Sequence, residues 1–385
     1  MADGSAPARD IFIVCNSVNE LGGLVQWAHD IAKLFLARGH RVQLIGVEPA
    51  TSLRDYGQNL PYPTITIHEK FVPKRGPATG LHALNMRSKR RRRQRERLVD
   101  AGAARLSEIF RNARPGGVVI AAQVWAMEWV ARADTTGLTV IGMSHESYEA
   151  TRNSSRFARV KRFYADVDIH LTLTDEDADA WARSGMSNVG SMPNPLMTKP
   201  QRLPTLDEKT VVTLRRLSHD KGIDMLLEAW SPLKSQYPDW QLHIYGAGPD
   251  EEVLRRQARD LGLDDTAIFK GVTTDIDAAL ASGSIYTLPS REEGFPIALM
   301  EAMAYGLPIV AFDCAPGVRE LVDDQGNGLL VNPGNVPGFT AALERLIKDR
   351  DLRERFGQEG KDMVGRFLPD SVIDRWEALF ELLDR

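Results

Sequence analysis

The chain predicts an α/β fold built twice: two doubly wound parallel sheets, joined by a short linker and facing a central cleft. Three observations carry this. Short apolar runs alternate with amphipathic helical stretches along the chain, the pattern of repeated strand-helix-strand units. At 385 residues the chain exceeds what one hydrophobic core organises, so two domains are the default. The alternation breaks at residues 191–200, S-M-P-N-P-L-M-T-K-P, whose three prolines and missing periodicity read as an interdomain linker.

In order, Ile11 to Cys15 reads as a strand, Leu24 to Arg38 as a helix ending at Gly39, and Val42 to Val47 as a second strand. Val118 to Ala121, Thr139 to Met143 and Ile169 to Leu173 repeat the strand pattern, and Thr174-Asp175-Glu176-Asp177 reads as a capped helix start. Beyond the linker the strands are Thr210 to Leu214, Gln241 to Tyr245, Ala267 to Phe269, Ile285 to Leu288, Ile309 to Ala311 and Gly328 to Val331. The expected domains are 1–190 and 201–369, with the C-terminal helix 370–385 returning to the first. Ligands of such sheets bind outside the carboxyl ends of the strands.

Composition narrows the function. A hydrophobic share of 43% and a charged share of 26% are ordinary for a globular protein, and a net charge of −4 gives no general pull toward nucleic acid. The charge is uneven: residues 87–97, R-S-K-R-R-R-R-Q-R-E-R, hold eight basic residues against one acidic. That run suits either a solvated helix face or a docking patch, at Arg90, Arg91, Arg92 and Arg93, for an anionic membrane or polymer. Two cysteines, Cys15 and Cys314, lack disulfide or metal spacing, so a reducing cytoplasm is expected and Cys15 reads as a buried thiol. The first ten residues have no apolar core, so no signal peptide is expected. The longest apolar stretch, Val118 to Val130, is too short to span a bilayer and contains Gln123 and Glu128.

The most informative segment is Ser290 to Pro308, S-R-E-E-G-F-P-I-A-L-M-E-A-M-A-Y-G-L-P. A strand precedes it, Pro296 suits the first position of a helix, and Gly306 with Pro308 stops that helix. Glu293 then lies in a strand-to-helix loop and Glu301 a little over one turn inside the helix. Two carboxylates beside the unpaired amides of a helix start suit a ligand carrying both hydroxyls and phosphate, such as a nucleotide sugar.

This segment resembles the Glu-x7-Glu motif of the retaining glycosyltransferases of family 4, the glycogen-synthase-like group with two Rossmann domains (the GT-B architecture). Both glutamates, the Gly294-Phe295-Pro296-Ile297 turn between them, Glu-Ala-Met-Ala and the terminal Gly-Leu-Pro fall in register. The resemblance covers nearly the whole chain, more loosely between about 50 and 115. It implies that Glu293 lies beside the donor sugar and Glu301 holds the ribose. It gives Arg216 and Lys221, in T-L-R-R-L-S-H-D-K-G, to the donor diphosphate, where fixed cations replace a metal. The family usually has Gly before this arginine. Here Arg215 stands there, which leaves open which of the two faces the phosphates.

The resemblance further places Gly22 and Gly23 in a glycine-rich loop beside donor phosphate and acceptor, and His145 on the donor sugar, with Glu146 as an acceptor contact. Gly246 and Gly248 match a Gly-x-Gly before the nucleotide pocket, and Lys270-Gly271-Val272 the turn that packs on the base. Asn194 matches a Pro-Asn turn. Asp166-Val167-Asp168 and Asp175-Glu176-Asp177 have the Asp-x-Asp spacing of metal-dependent transferases, but the first precedes a strand and the second fits a helix cap. A dinucleotide fingerprint fails at Glu251, where a third Gly is required.

The expectation is a cytoplasmic, metal-independent retaining hexosyltransferase with no cofactor beyond its nucleotide-sugar co-substrate, UDP being the expected carrier. Its acceptor is a glycan, a lipid-linked sugar or a polymer, with peripheral contact to an anionic membrane and none to nucleic acid. The S-H-E-S-Y-E segment, residues 144–149, and the basic run most resemble bacterial enzymes that decorate wall or surface polymers. An epimerase of the same architecture and a non-catalytic nucleotide-sugar-binding partner are the alternatives.

Overall fold

β1 (Asp10–Cys15) is buried along its whole length, which only a strand with neighbours on both sides and helices on both faces can be. In the computed structural model, which describes residues 7–57, 59–74 and 86–384, it lies inside a seven-stranded parallel sheet. The others are β2 (Arg41–Gly46), β3 (Thr64–Thr66), β4 (Val118–Ala121), β5 (Thr139–Met143), β6 (Ile169–Thr172) and β7 (Val189–Ser191), in the order β3-β2-β1-β4-β5-β6-β7. A second parallel sheet holds β8 (Thr210–Leu214), β9 (Gln241–Tyr245), β10 (Ala267–Gly271), β11 (Ile285–Leu288), β12 (Ile309–Phe312) and β13 (Gly328–Val331), ordered β10-β9-β8-β11-β12-β13. In each sheet the winding reverses once, between β1 and β4 and between β8 and β11. Loops diverge at such a point and leave a crevice at the carboxyl ends of the strands.

The chain divides into two compact units, Met1–Met192 with Val372–Arg385, and Pro193–Ser371. The C-terminal helix Pro369–Leu383 packs in the first unit from Val372 onward. Trp376 and Phe380 lie 5.7 and 5.6 Å from the Phe35 ring on the helix Gly23–Ala37, and Arg9 closes on Asp384 at 2.5 Å. The large apolar rings supply the affinity and the ion pair fixes the end of the helix.

Two strands escape sequence reading. β3 and β7 are three-residue edges without a buried apolar run, so nothing in their composition separates them from loops. Pro296 is the N-cap of the helix Ile297–Ala304 rather than its first residue; a missing N–H is equally harmless there, and its carbonyl accepts from Leu299 at 3.0 Å. Thr174 caps the helix Asp175–Arg183 as expected, accepting from the Asp177 amide at 3.1 Å. The two Asp-x-Asp pairs are engaged within the fold: Asp168 accepts from the Val140 amide at 2.8 Å and Asp177 from the Tyr148 amide at 2.7 Å.

The basic run forms the start of the helix Met86–Phe110. Arg90, Arg91, Arg92 and Arg93 are exposed, but Arg95 turns inward. It grips fully buried Glu128 through two bonds of 2.8 and 2.6 Å, and Arg159 approaches the same carboxylate at 3.4 Å. This buried group fixes the rotation of the helix and so decides which arginines face water. Among the described residues no helix is long and apolar enough to cross a membrane.

Candidate active site

At the switch point of the second sheet, β8 runs out through Leu214 into a loop carrying Arg215, Arg216 and Lys221. β11 runs out through Pro289 into a loop carrying Glu293. Gly222, at φ +66°, brings the two loops together: a Cβ there would collide with the Pro289 carbonyl oxygen. Arg291 adds a clamp, donating to Asp224 at 2.7 and 2.6 Å and, through its amide, to the Asp220 carbonyl at 2.9 Å.

The result is a compact charged group. Lys221 Nζ lies 3.1 Å from Glu293 Oε1 and 3.2 Å from Asp220. Arg215 Nη2 makes a close ion pair with the same Glu293 oxygen and donates to Ser290 Oγ at 3.0 Å. The Arg215 side chain is 6% exposed and that of Glu293 8%. Burial, and after it the neighbouring Arg215 charge, pulls the Lys221 ammonium below its ordinary range. Arg216 is exposed, and its guanidinium has no partner among the described residues. Of the two arginines, the structure thus brings Arg215 to Glu293 and leaves Arg216 exposed.

Glu301 sits in the first turns of the helix that follows, where Oε1 accepts from Thr198 Oγ1 at 2.6 Å. The N-cap, Pro296, offers no capping side chain, so the first amides of this helix form an uncapped positive end. Phe295 is buried against Phe367 at 5.3 Å, so it anchors the turn with its side chain and leaves the backbone of Gly294 to Ile297 as the part that a ligand can meet.

Gly246 and Gly248 have a packing role. A Cβ at either would strike the carbonyl oxygen of Arg215 or Leu217, so they let the β9 turn close on the cation loop, sealed by Leu217 N to Ala247 O at 3.0 Å. Val272, 74% exposed at the end of β10, stands two strands from β8 and does not join the charged group. Asn194 is buried, with Oδ1 unpartnered among the described residues.

The first unit has its own crevice at the carboxyl ends of β1, β4 and β5, a cavity of about 160 Å³ lined by Asn16, Gln123, Trp125, His145, Glu146 and Arg156 among others. His145 Nε2 and Asn16 Oδ1 are buried there without a partner among the described residues. Burial pushes the His145 imidazole down to about 4, so it is neutral at physiological pH, and its ring lies 4.5 Å from Trp27. Glu146 pairs with Arg156 at 3.1 Å. At Gly22 and Gly23 a Cβ would meet nothing within 4 Å, so the unit's own packing does not require glycine at either. A larger cavity of about 570 Å³ lies at the opposite ends of β1 and β2, beside Asp10, Arg41 and Tyr62, away from all of these residues.

Sequence reading missed Arg215 as a partner of Glu293, Thr198 as the partner of Glu301, and Asn16, Trp125 and Arg156 in the first crevice. Only Gly222, directly after Lys221, carried a signal that could have been used, since a tight turn there forces the lysine against the neighbouring loop.

Residues 198–363, which contain the whole charged group, match the family described as Glycosyl transferases group 1. An "uncharacterized glycosyltransferase" of Haemophilus influenzae is 35% identical over 240 residues, covering 61% of this chain and 67% of that protein. The poly(glycerol-phosphate) alpha-glucosyltransferase of Bacillus subtilis is 28% identical over 174 residues, 45% of this chain, which spans only 26% of that protein. In fold, a mutant of S. aureus TarM, solved with Fondaparinux, alpha-GlcNAc-glycerol and UDP, superposes with a TM-score of 0.75 over 97% of this chain and 99% of its own, at 15% identity. Two Rossmann-like units of GT-B type, a cation loop and a paired glutamate motif therefore sit on a chain that belongs to the glycosyltransferases, with a group 1 domain at residues 198–363.

Proposed function

We propose that the protein moves a hexose-type sugar from a UDP-linked donor to a hydroxyl of a glycan, lipid-linked or polymer acceptor, with retained anomeric configuration and without a metal or other cofactor. The observation that carries this is the 3.1 Å pair of Lys221 and Glu293, with exposed Arg216 and an uncapped helix start, at the β8–β11 switch point.

Breaking the glycosidic bond leaves a nucleoside diphosphate, and negative charge develops on its oxygens. In this reading Lys221, Arg216 and the amides before Leu299 receive it, the task a metal performs elsewhere. Glu301 takes the ribose hydroxyls and Glu293 orients the sugar, both as acceptors of hydrogen bonds. In same-face attack the acceptor oxygen bonds to the anomeric carbon as the carbon–diphosphate bond breaks, and the acceptor proton passes to a leaving phosphate oxygen. Neutral His145 contributes a hydrogen bond to a sugar hydroxyl, with Glu146 on the acceptor side; Gly22 and Gly23 allow backbone to approach the ligand closely.

The named substrate of the Bacillus subtilis relative and the UDP bound to the TarM mutant support a UDP-linked donor and a wall or surface polymer as acceptor. The exposed Arg90 to Arg93 favour a cytoplasmic enzyme working at an anionic membrane or on an anionic polymer. A screen of the purified protein against UDP-, GDP- and ADP-sugars, with EDTA present, tests the reading. Release of UDP from a UDP-sugar supports it, and release from no donor contradicts it.

A further inference from the structure

Arg215 stands where the motif to which this chain is similar usually has a glycine, and with its side chain 6% exposed against 22% for Lys221 it is the more buried of the two cations on Glu293. It leaves the end of β8, and its amide still pairs with the Tyr245 carbonyl at 2.9 Å, so its backbone is fixed by the sheet. Its side chain is held on two sides, by Glu293 Oε1 and by Ser290 Oγ, the latter fully buried two residues beyond β11. Lys221 leans on the same Glu293 oxygen from the other loop, is 22% exposed, and also touches Asp220. One carboxylate oxygen therefore has two cations, one locked into the protein and one closer to solvent.

These two cations differ in what an arriving anion can do to them. A diphosphate competes for Lys221, whose long flexible stem and point charge let it swing. It competes poorly for Arg215, which is enclosed and has a second protein acceptor. Without Arg215, moving Lys221 to a phosphate would strand a largely buried carboxylate, and an unpaired buried charge is costly and reorients.

We propose that Arg215 is a positioning residue: it holds Glu293 in its working orientation while Lys221 transfers its contact to the donor diphosphate. The proposal rests on the donor reading above, in which Glu293 faces the sugar and Lys221 the phosphates. It assigns to this chain a fixed guanidinium in a place where glycine can do nothing of the kind, so Glu293 is held here by the protein and not by the ligand.

The experiment compares wild type with Arg215→Met and Arg215→Gly in donor turnover and in UDP binding by calorimetry. Misplacement of a sugar-facing carboxylate predicts a fall in kcat of about 100-fold for Arg215→Met, with UDP affinity changed less than about threefold. Methylguanidine added to Arg215→Gly is expected to restore part of the lost turnover, a response that a purely structural role does not give. Wild-type turnover in Arg215→Met, or a loss of UDP affinity as large as the loss of kcat, overturns the proposal. If neither variant folds, a crystal structure of the wild-type protein with UDP decides it: Arg215 still on Glu293 with Lys221 on a phosphate supports it, and Arg215 on a phosphate refutes it. Failure of wild type to bind or turn over any nucleotide sugar would instead remove the donor reading on which it rests.

Discussion

Glu293 Oε1 accepts from Lys221 at 3.1 Å while the same oxygen pairs with Arg215, so one carboxylate ties the loop after β8 to the loop after β11. The two loops come from the adjacent central strands where the winding of the sheet reverses. Fold and charge meet there: Gly222 lets the two loops touch, and the charged side chains gather where the winding reverses, the place at which such sheets bind ligands.

The two glutamates of the motif have different partners, so their losses should differ in kind. Glu301→Ala is expected to weaken binding of both UDP and the UDP-sugar, because Glu301 is assigned to the ribose. Glu293→Ala should leave UDP affinity nearly intact and suppress turnover, the signature of an interaction made at the reacting sugar. Calorimetry with UDP, followed by turnover with the sugar donor, separates them; equal loss of UDP affinity in both variants sinks the assignment.

The exposed arginines of the helix Met86–Phe110 give a second test. Replacing Arg90, Arg91, Arg92 and Arg93 together with Gln should abolish cosedimentation with anionic vesicles or an anionic polymer, while donor hydrolysis survives. The wild-type association should fade with salt, as the Debye length falls from about 10 Å at 0.1 M to about 3 Å at 1 M. Cosedimentation and acceptor glycosylation unchanged by the four substitutions would reduce the run to a solvated surface.

Arg95 belongs to the same basic run but serves stability. Glu128 is fully buried and holds Arg95 through two bonds. Glu128→Ala leaves that guanidinium uncompensated and should cost about 3–5 kcal/mol in denaturant unfolding. Arg90→Gln, on the exposed face, should stay within about 0.5 kcal/mol of wild type. Equal effects of the two changes would contradict the inward placement of Arg95.

Asp10 supplies a pH test. Its hydrogen bond from Arg41, with Arg114 beside it, holds the carboxyl well below its ordinary value of 3.8. A depressed carboxylate contributes stability that is fully present above its unfolded value and is lost as pH falls toward the folded one. Asp10→Ala should therefore lower stability at pH 7, by about 1.5–3 kcal/mol, with the gap to wild type closing below about pH 4. A gap that is unchanged down to pH 2 would show that Asp10 acts through packing alone.

Much of this was legible in the sequence because buried parallel strands must be apolar. Val118–Ala121, Thr139–Met143, Thr210–Leu214 and Ile285–Leu288 could be read to the residue. β3 and β7 could not, since a three-residue edge buries too little to leave a pattern. Glu293, Glu301 and Lys221 were singled out by the resemblance of their segments to the family motif, and the structure brings Lys221 to Glu293. Arg215 was legible only as a departure. Its role depends on the direction its side chain takes at the end of β8, a tertiary property that neither periodicity nor motif encodes. The crevice residues Asn16 and Trp125, on two separate loops, and Arg156, at the start of the helix Arg156–Phe163, are far apart in sequence, and only the sheet order makes them neighbours.

The most direct test of the central claim is release of nucleoside diphosphate from a panel of UDP-, GDP- and ADP-sugars in EDTA, by wild type and by Lys221→Ala. Wild type is expected to release UDP from a UDP-sugar with the metal chelated, and Lys221→Ala to be about 10²–10³-fold slower, the scale of losing one preorganised charge-stabilising group. Release from no donor, activity that EDTA abolishes and Mn²⁺ restores, or a Lys221→Ala enzyme as fast as wild type would contradict it.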